Sequence, residues 1–163
     1  MQKPSNIRRL AVGLGVITLV FTMFTAAALA EGMKAEEKSL YDRLGGLMPI
    51  SVVVSDFIDA IVPDPFINQN PAVDAARQRV PAAYLKYQVT ALVCQTTGGP
   101  CQYNGRTMKD SHAHLHITPA EWDRMVVIFK DVLAKHEVPD VEQQGLMEIV
   151  ESTRADIVMA APM

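Results

Sequence analysis

The stretch that decides the fold is GGPCQYNGRTMKDSHAHLHIT, residues 98–118, which holds three of the chain's four histidines. Its glycine pair and proline predict a turn that ends one helix. Thr118, followed by proline and then by Glu121, predicts the start of another. His112 and His116 are four residues apart, a spacing that places two zinc ligands on one face of a single helix. The helix start at Thr118 instead places His116 in the connection between two helices, which argues against a two-histidine zinc site.

The histidines then have two interpretations. On residue chemistry alone, solvated loop histidines are the simpler one. Against it, Met108 lies four residues before His112, on the same helical face, and Leu115 and Ile117 follow closely. A histidine on an apolar floor suits a planar apolar cofactor, because it offers one basic nitrogen to a metal and leaves apolar contacts around it.

Apolar residues recur at three- and four-residue spacings from residue 39 onward, which predicts helices nearly throughout. The β-branched run at 52–54 would tolerate a strand, and residues 63–71 are typical of a corner. We therefore expect one all-α domain. The predicted helices cover 39–44, 49–62, about 81 to 97, 108–114, a segment that begins at 119, and a last region from 139 through 157.

The N-terminus has the order of a secretory signal. Three basic residues and no acid precede residues 10–30, which carry no charge and end in Ala28-Leu29-Ala30. We expect a signal peptide over residues 1–30, a short linker over 31–38, one domain over 39–163, and a periplasmic location. Because residues 10–30 could also span a bilayer, an uncleaved inner-membrane anchor is the alternative, and membrane contact is expected only through that segment.

Charge and cysteine usage follow from export. Cleavage after Ala30 removes three basic residues and no acid, so the formal charge changes from −3 to −6. An acidic domain without a basic patch is not expected to bind nucleic acid. Cys94 and Cys101 would face an oxidising compartment, where a disulfide is allowed. Two separate thiols, with Cys94 buried as a small apolar residue, are the alternative.

Residues 98–118 resemble a segment of the truncated haemoglobins, most closely their first group. That group carries a Gly-Gly-Pro turn, then Tyr-x-Gly-x-x-Met-x-x-x-His, then an entry to the next helix. Residues 39–46 resemble the family's opening helix and glycine pair, and the resemblance continues to about residue 158. The positions shared here are Gly98, Gly99, Pro100, Tyr103, Gly105, Met108, His112, Ile117 and Thr118.

The resemblance implies a two-over-two helical sandwich that holds haem b, with His112 as the proximal iron ligand. It also implies that His114 and His116 take no direct part. Second-helix residues and one long later helix would supply the opposite, distal side. The cofactor contacts expected beside His112 are Met108, Leu115, Ile117, Phe57, Ile58, Phe66, Leu85, Gln88 and Val89.

The distal side is where the chain departs from the family pattern. Ile58 stands where the family usually has a tyrosine that donates a hydrogen bond to bound oxygen. Asn70 stands near the corner position that is usually phenylalanine, and Phe66 is the candidate replacement. Gap-free counting from Gly98 turns three residues of the next helix toward the haem, Leu85, Gln88 and Val89. We expect a mostly apolar pocket with Gln88 as its candidate donor.

The expected function is reversible binding of a diatomic gas, O₂, NO or CO. A donor hydrogen bond to bound oxygen is worth about 1.5–3 kcal/mol, so its loss predicts an off-rate raised roughly tenfold or more. We therefore expect weak oxygen retention and better discrimination in favour of CO and NO. The alternatives are a globin-derived interaction module that has lost haem, or a haem redox enzyme such as an NO dioxygenase or pseudo-peroxidase. The redox enzyme would need an electron-donating reductase as partner.

Overall fold

The computed structural model describes residues 38–159, where the chain is helical apart from turns and one isolated parallel β-bridge between Ile117 and Val158. The signal peptide expected over 1–30 lies outside the described residues. The helices are α1 (Leu40–Arg43), α2 (Leu47–Ile61), a 3₁₀ turn (Ile67–Gln69), α3 (Pro71–Arg79), α4 (Ala82–Thr96), α5 (Met108–His112), α6 (Pro119–Lys135), α7 (Asp140–Ser152) and α8 (Arg154–Ile157).

The long helices form the expected all-α, two-over-two sandwich. Helix α2 packs most extensively against α4 and next against α6, while α6 and α7 share a core. Ile50, Val54 and Ile58 recur every four residues along α2, and all three are buried. One face of α2 therefore holds the two layers together, and the strand alternative for residues 52–54 is wrong.

The core between the layers includes a pair of aromatic rings. Phe57 and Phe129 meet edge to face, with ring centroids 5.2 Å apart and planes inclined by 70°. Edge-to-face pairs place the positive ring edge against the negative ring face. Leu133 beside them is fully buried. These contacts fix α2 relative to α6.

The start signal at Thr118 folds as predicted. The Thr118 hydroxyl accepts the backbone N–H of Glu121 at 3.2 Å, and the Glu121 carboxylate accepts the backbone N–H of Thr118 at 2.7 Å. This reciprocal capping box satisfies two N–H groups that the helix leaves without partners. It ends the connection from α5 at a defined residue.

Helix α3 (Pro71–Arg79) was not predicted: the expected corner ended at Pro71, and no helix was expected between there and about residue 81. The Asn70 Oδ1 accepts the backbone N–H of Ala72 at 3.0 Å, and Pro71 occupies the first helical position. An Asn cap followed by proline is a helix start of the same kind as Thr118-Pro119. The last predicted helix also differs, since it breaks at Thr153 into α7 and α8.

The turn after α4 is closed covalently. Cys94 is fully buried and forms a disulfide with Cys101, which decides between the two alternatives for these cysteines. Gly98 has a φ of +89°, a conformation that glycine adopts without a steric penalty. The disulfide and this glycine fix where the chain leaves α4 for α5. Across residues 38–159, no helix has the length and apolar character needed to cross a bilayer.

Candidate functional site

His112 ends α5, and its ring is held by the helix's first residue. The Nδ1 atom lies 2.8 Å from the backbone carbonyl oxygen of Met108. A carbonyl oxygen can only accept, so in the neutral ring the hydrogen lies on Nδ1 and is donated to Met108. The other ring nitrogen, Nε2, then keeps its lone pair. This is the arrangement in which a histidine binds a metal through Nε2.

Burial keeps this ring neutral. Desolvation lowers the pKa of His112 below its ordinary value of 6.5, and the nearby His114 lowers it further. The hydrogen bond to Met108 raises the pKa, but its effect is smaller than that of desolvation. Because burial disfavours the charged imidazolium, the ring presents a basic nitrogen at neutral pH.

The connection from α5 to α6 separates His112 from the other two histidines. His114 and His116 are exposed. His116 lies in the connection, with a φ of +52°, and its Nδ1 is 3.0 Å from the Sδ of Met159. It does not lie one turn above His112 on a common helix, as a zinc pair would require. Of the three histidines in this segment, His112 is the one whose side chain is partly buried.

The side chains that the resemblance assigns to the distal side form an apolar cluster. Ile58 is 4% exposed, and Leu85 and Val89 pack against the buried cluster to which it belongs. The structure therefore brings together three of the distal residues expected from the sequence. Gln88 lies between them on α4 and is half-buried. Phe57 also contacts this cluster, but its ring packs on Phe129 of α6.

Phe66 is placed apart from these residues. It is 42% exposed and lines an open cavity of about 420 Å³ together with Asn70, His116 and Glu121. Asn70 turns its amide toward the backbone, capping α3 and donating from Nδ2 to the Leu115 carbonyl oxygen at 2.8 Å. At the corner where the family pattern has an aromatic side chain, Asn70 thus forms hydrogen bonds with the backbone.

Asp64 anchors this corner to α6. Its Oδ2 accepts from the Nε and Nη2 of Arg124 at 3.0 and 2.7 Å, and its Oδ1 accepts the backbone N–H groups of Phe66 and Ile67. The hydrogen bonds from Arg124 hold the pKa of the buried Asp64 carboxyl below its ordinary value of 3.8, although desolvation opposes them. The carboxylate is therefore charged at neutral pH and fully partnered.

A family model described as bacterial-like globin matches residues 39–159, nearly all of the described range. The chain is a truncated globin of this family. A group 1 truncated haemoglobin of Chlamydomonas moewusii is 26% identical over 126 residues, covering 73% of this chain and 67% of that protein. The resemblance inferred from residues 98–118 is confirmed.

Solved structures of similar proteins support the fold of this truncated globin. The truncated haemoglobin of Tetrahymena pyriformis in its Fe(III) form matches with a TM-score of 0.66 and 20% identity, covering 76% of this chain and 100% of that one. A 2/2 haemoglobin of a Synechococcus species, in the cyanomet state with covalently attached haem, matches with a TM-score of 0.65 and 21% identity, covering 74% and 98%. At these identities the likeness concerns the fold alone.

Two features of the site could not be specified from the sequence. The Met108 carbonyl that holds His112 carries no signal, because every residue has a carbonyl group and only the fold selects one. The link from Asn70 to Leu115 joins residues 45 apart in sequence. The helix start at Asn70-Pro71 was visible as a cap followed by proline, but it was interpreted as a corner.

Proposed function

We propose that this truncated globin binds haem b through His112 and reversibly takes up a diatomic gas. One observation carries the proposal: the His112 Nδ1–H is donated to the Met108 carbonyl at 2.8 Å, which leaves Nε2 as a neutral ligand. Burial supports the same state by lowering the ring's pKa. Haem would supply an iron that His112 would ligate and at which a diatomic gas would bind.

The chain's own residues divide the binding of this cofactor between two walls. On the His112 side, the half-buried side chains of Met108, Leu115 and Ile117 would offer apolar contacts. On the other side, Ile58 and its α4 neighbours would exclude water. A largely apolar pocket of this kind is the environment that a planar, mostly hydrophobic ligand prefers.

The same apolar wall supports a proposal about the gas. Ile58, Leu85 and Val89 carry no hydrogen-bond donor on their side chains. Bound oxygen, which gains most from a donor, would be released quickly, while CO and NO would be discriminated against less. Gln88 remains the candidate donor, since its half-buried amide lies on the same helix.

We also propose export to an oxidising compartment, with the inner-membrane anchor as the alternative. The Cys94–Cys101 disulfide supports this proposal, because structural disulfides persist mainly in such compartments. An electron-donating reductase is the proposed protein partner, because gas uptake of this kind needs ferrous iron. Membrane contact would occur only through residues 10–30 if that segment is retained.

An absorption spectrum of the full chain, expressed with haem available, tests the proposed function. We expect a Soret band in the parent that is lost or shifted in His112→Ala. His114→Ala and His116→Ala are matched controls from the same segment and should leave the band unchanged. A parent that folds helical but stays colourless would contradict the proposal and favour a haem-free globin module.

A further inference from the structure

Asn70 uses both ends of its side-chain amide. Its Oδ1 accepts the backbone N–H groups of Ala72 and Val73 at 3.0 and 3.4 Å, which caps α3. Its Nδ2 donates to the carbonyl oxygen of Leu115 at 2.8 Å. We propose that Asn70 is a positioning residue for His112, fixing the ring's orientation across the site. This inference rests on the proposed function, since it concerns the same histidine.

A chain of short hydrogen bonds runs from Asn70 to the imidazole. Asn70 donates to the Leu115 carbonyl, and the Leu115 N–H donates in turn to the carbonyl oxygen of His112 at 2.8 Å. The His112 Nδ1 then donates to the Met108 carbonyl at 2.8 Å. Each link is near the ideal N–H···O distance. A displacement of Leu115 would therefore shift the backbone of His112 and, with it, the imidazole ring.

The origin of this chain is itself fixed. Asn70 closes the corner that starts at Asp64, and Asp64 is bound to Arg124 of α6 through two hydrogen bonds. The Asp64 Oδ1 accepts the backbone N–H of Ile67, and Ile67 accepts the backbone N–H of Asn70 at 3.2 Å. Asn70 is thus fixed relative to α6. Its hydrogen bond can therefore restrain the position of Leu115.

The far end of the connection is also held. Ile117 forms the isolated bridge with Val158, and its carbonyl oxygen accepts the backbone N–H of Met159 at 3.0 Å. The six residues between His112 and Pro119 are therefore tied at Leu115 from one side and at Ile117 from the other. Without Asn70, the half nearer to His112 loses this hydrogen bond to the corner, while the half nearer to α6 keeps its own restraint.

The position of Asn70 adds a reason why this link matters. The resemblance assigns the corner after α2 to the distal side of the site, where the family pattern places an aromatic side chain. In this chain a polar side chain at that corner reaches the backbone on the His112 side. The two walls are thereby coupled, so a change at the corner is expected to alter how firmly His112 holds the iron.

The test compares Asn70→Ser with Asn70→Ala in the full chain loaded with haem. Serine keeps the α3 cap but is too short to reach Leu115, whereas alanine loses the cap and the link. The readout is the iron–histidine stretching band of the ferrous protein in resonance Raman spectra. We expect both variants to lower and broaden this band equally, because a freer ring samples tilted orientations. An unchanged band in Asn70→Ser would overturn the inference.

A second readout needs no haem. Amide hydrogen exchange at Leu115 N–H, which donates to His112, should be roughly fivefold faster in Asn70→Ser, as expected for loss of one net hydrogen bond. The N–H of Met159, which donates to Ile117, is the internal control and should not change. Equal exchange at Leu115 in parent and variant would overturn the inference. A colourless parent would contradict the proposed function while leaving this comparison decisive.

If Asn70→Ser does not fold, Asn70→Asp replaces it in both measurements. Aspartate has nearly the same shape and caps α3 equally well. Its second oxygen cannot donate and would face the Leu115 carbonyl, so the lowered band and faster exchange should be at least as large. A parent-like band in this variant would contradict the role given to Asn70.

Discussion

The two walls of the candidate haem site are built from different interactions. On the His112 side, polar contacts dominate: ring to carbonyl, backbone to backbone, and the Asn70 amide to Leu115. On the Ile58 side, apolar side chains of α2 and α4 pack together. Under the proposed function, one wall would orient the iron ligand and the other would exclude water. The polar groups of this site would then mainly orient the histidine, and few would be available to a bound gas.

The difference also explains what each wall tolerates. Hydrogen bonds are directional, so the loss of one donor in the hydrogen-bonded wall should shift the His112 ring without leaving a cavity. A packed wall depends on volume, so losing methyl groups leaves a cavity. Substitutions on the two sides should therefore fail in different ways, and the following predictions separate them in order of decreasing effect on stability.

The largest effect is expected for Ile58→Ala in the packed wall. Ile58 is 4% exposed, and truncating such a residue costs about 2–5 kcal/mol through lost burial and the cavity left behind. The measurement is the free energy of unfolding in urea. Val52→Ala, on the same helix but 47% exposed, is the control and should stay within about 0.5 kcal/mol. Equal losses in the two variants would contradict a packed wall.

Asp64→Ala should cost about 2 kcal/mol, since it removes charge-assisted hydrogen bonds at the corner that couples the walls. Asp64→Asn separates charge from shape, because its side-chain oxygen can still accept the N–H groups of Phe66 and Ile67.

The acid dependence of stability follows from the lowered pKa of Asp64. A carboxyl with a lowered folded pKa contributes its full stability above its unfolded value of 3.8 and loses it as the pH falls through the folded pKa. Below about pH 4, the unfolding free energy of the parent should fall more steeply than that of Asp64→Asn. Parallel curves would show that the Arg124 pair contributes nothing.

The smallest of the three effects is expected at the end of the hydrogen-bonded wall. Thr118→Ala removes the cap of α6 and should cost about 1 kcal/mol, measured as a shift of the urea midpoint. Thr118→Ser retains the hydroxyl that accepts from Glu121 and should recover most of the loss. If serine and alanine were equivalent, the capping box would not be what ends the connection.

Local signals in the sequence predicted much of the fold. The capping box at Thr118 and the turn at Gly98 act within a few residues, so both were predicted with their bounds. The placement of Ile58 beside Leu85 came from the resemblance, since contacts across helices leave no local pattern. Whether Cys94 and Cys101 form a disulfide could not be decided from the sequence, because the turn between them can adopt several backbone geometries and only some bring the two sulfur atoms together. The missed helix α3 shows that a start signal is easily overlooked when the segment lacks an apolar stripe.

The central claim is that His112 ligates the haem iron and that Ile58, on the other side of the proposed site, donates no hydrogen bond to a bound gas. Stopped-flow release of O₂ from the ferrous protein tests it most directly, comparing the parent with Ile58→Tyr and Ile58→Phe. Phenylalanine adds the ring without the hydroxyl. We predict fast release in the parent and in Ile58→Phe, and release slowed roughly tenfold or more in Ile58→Tyr. Release from the parent as slow as from Ile58→Tyr would contradict the account.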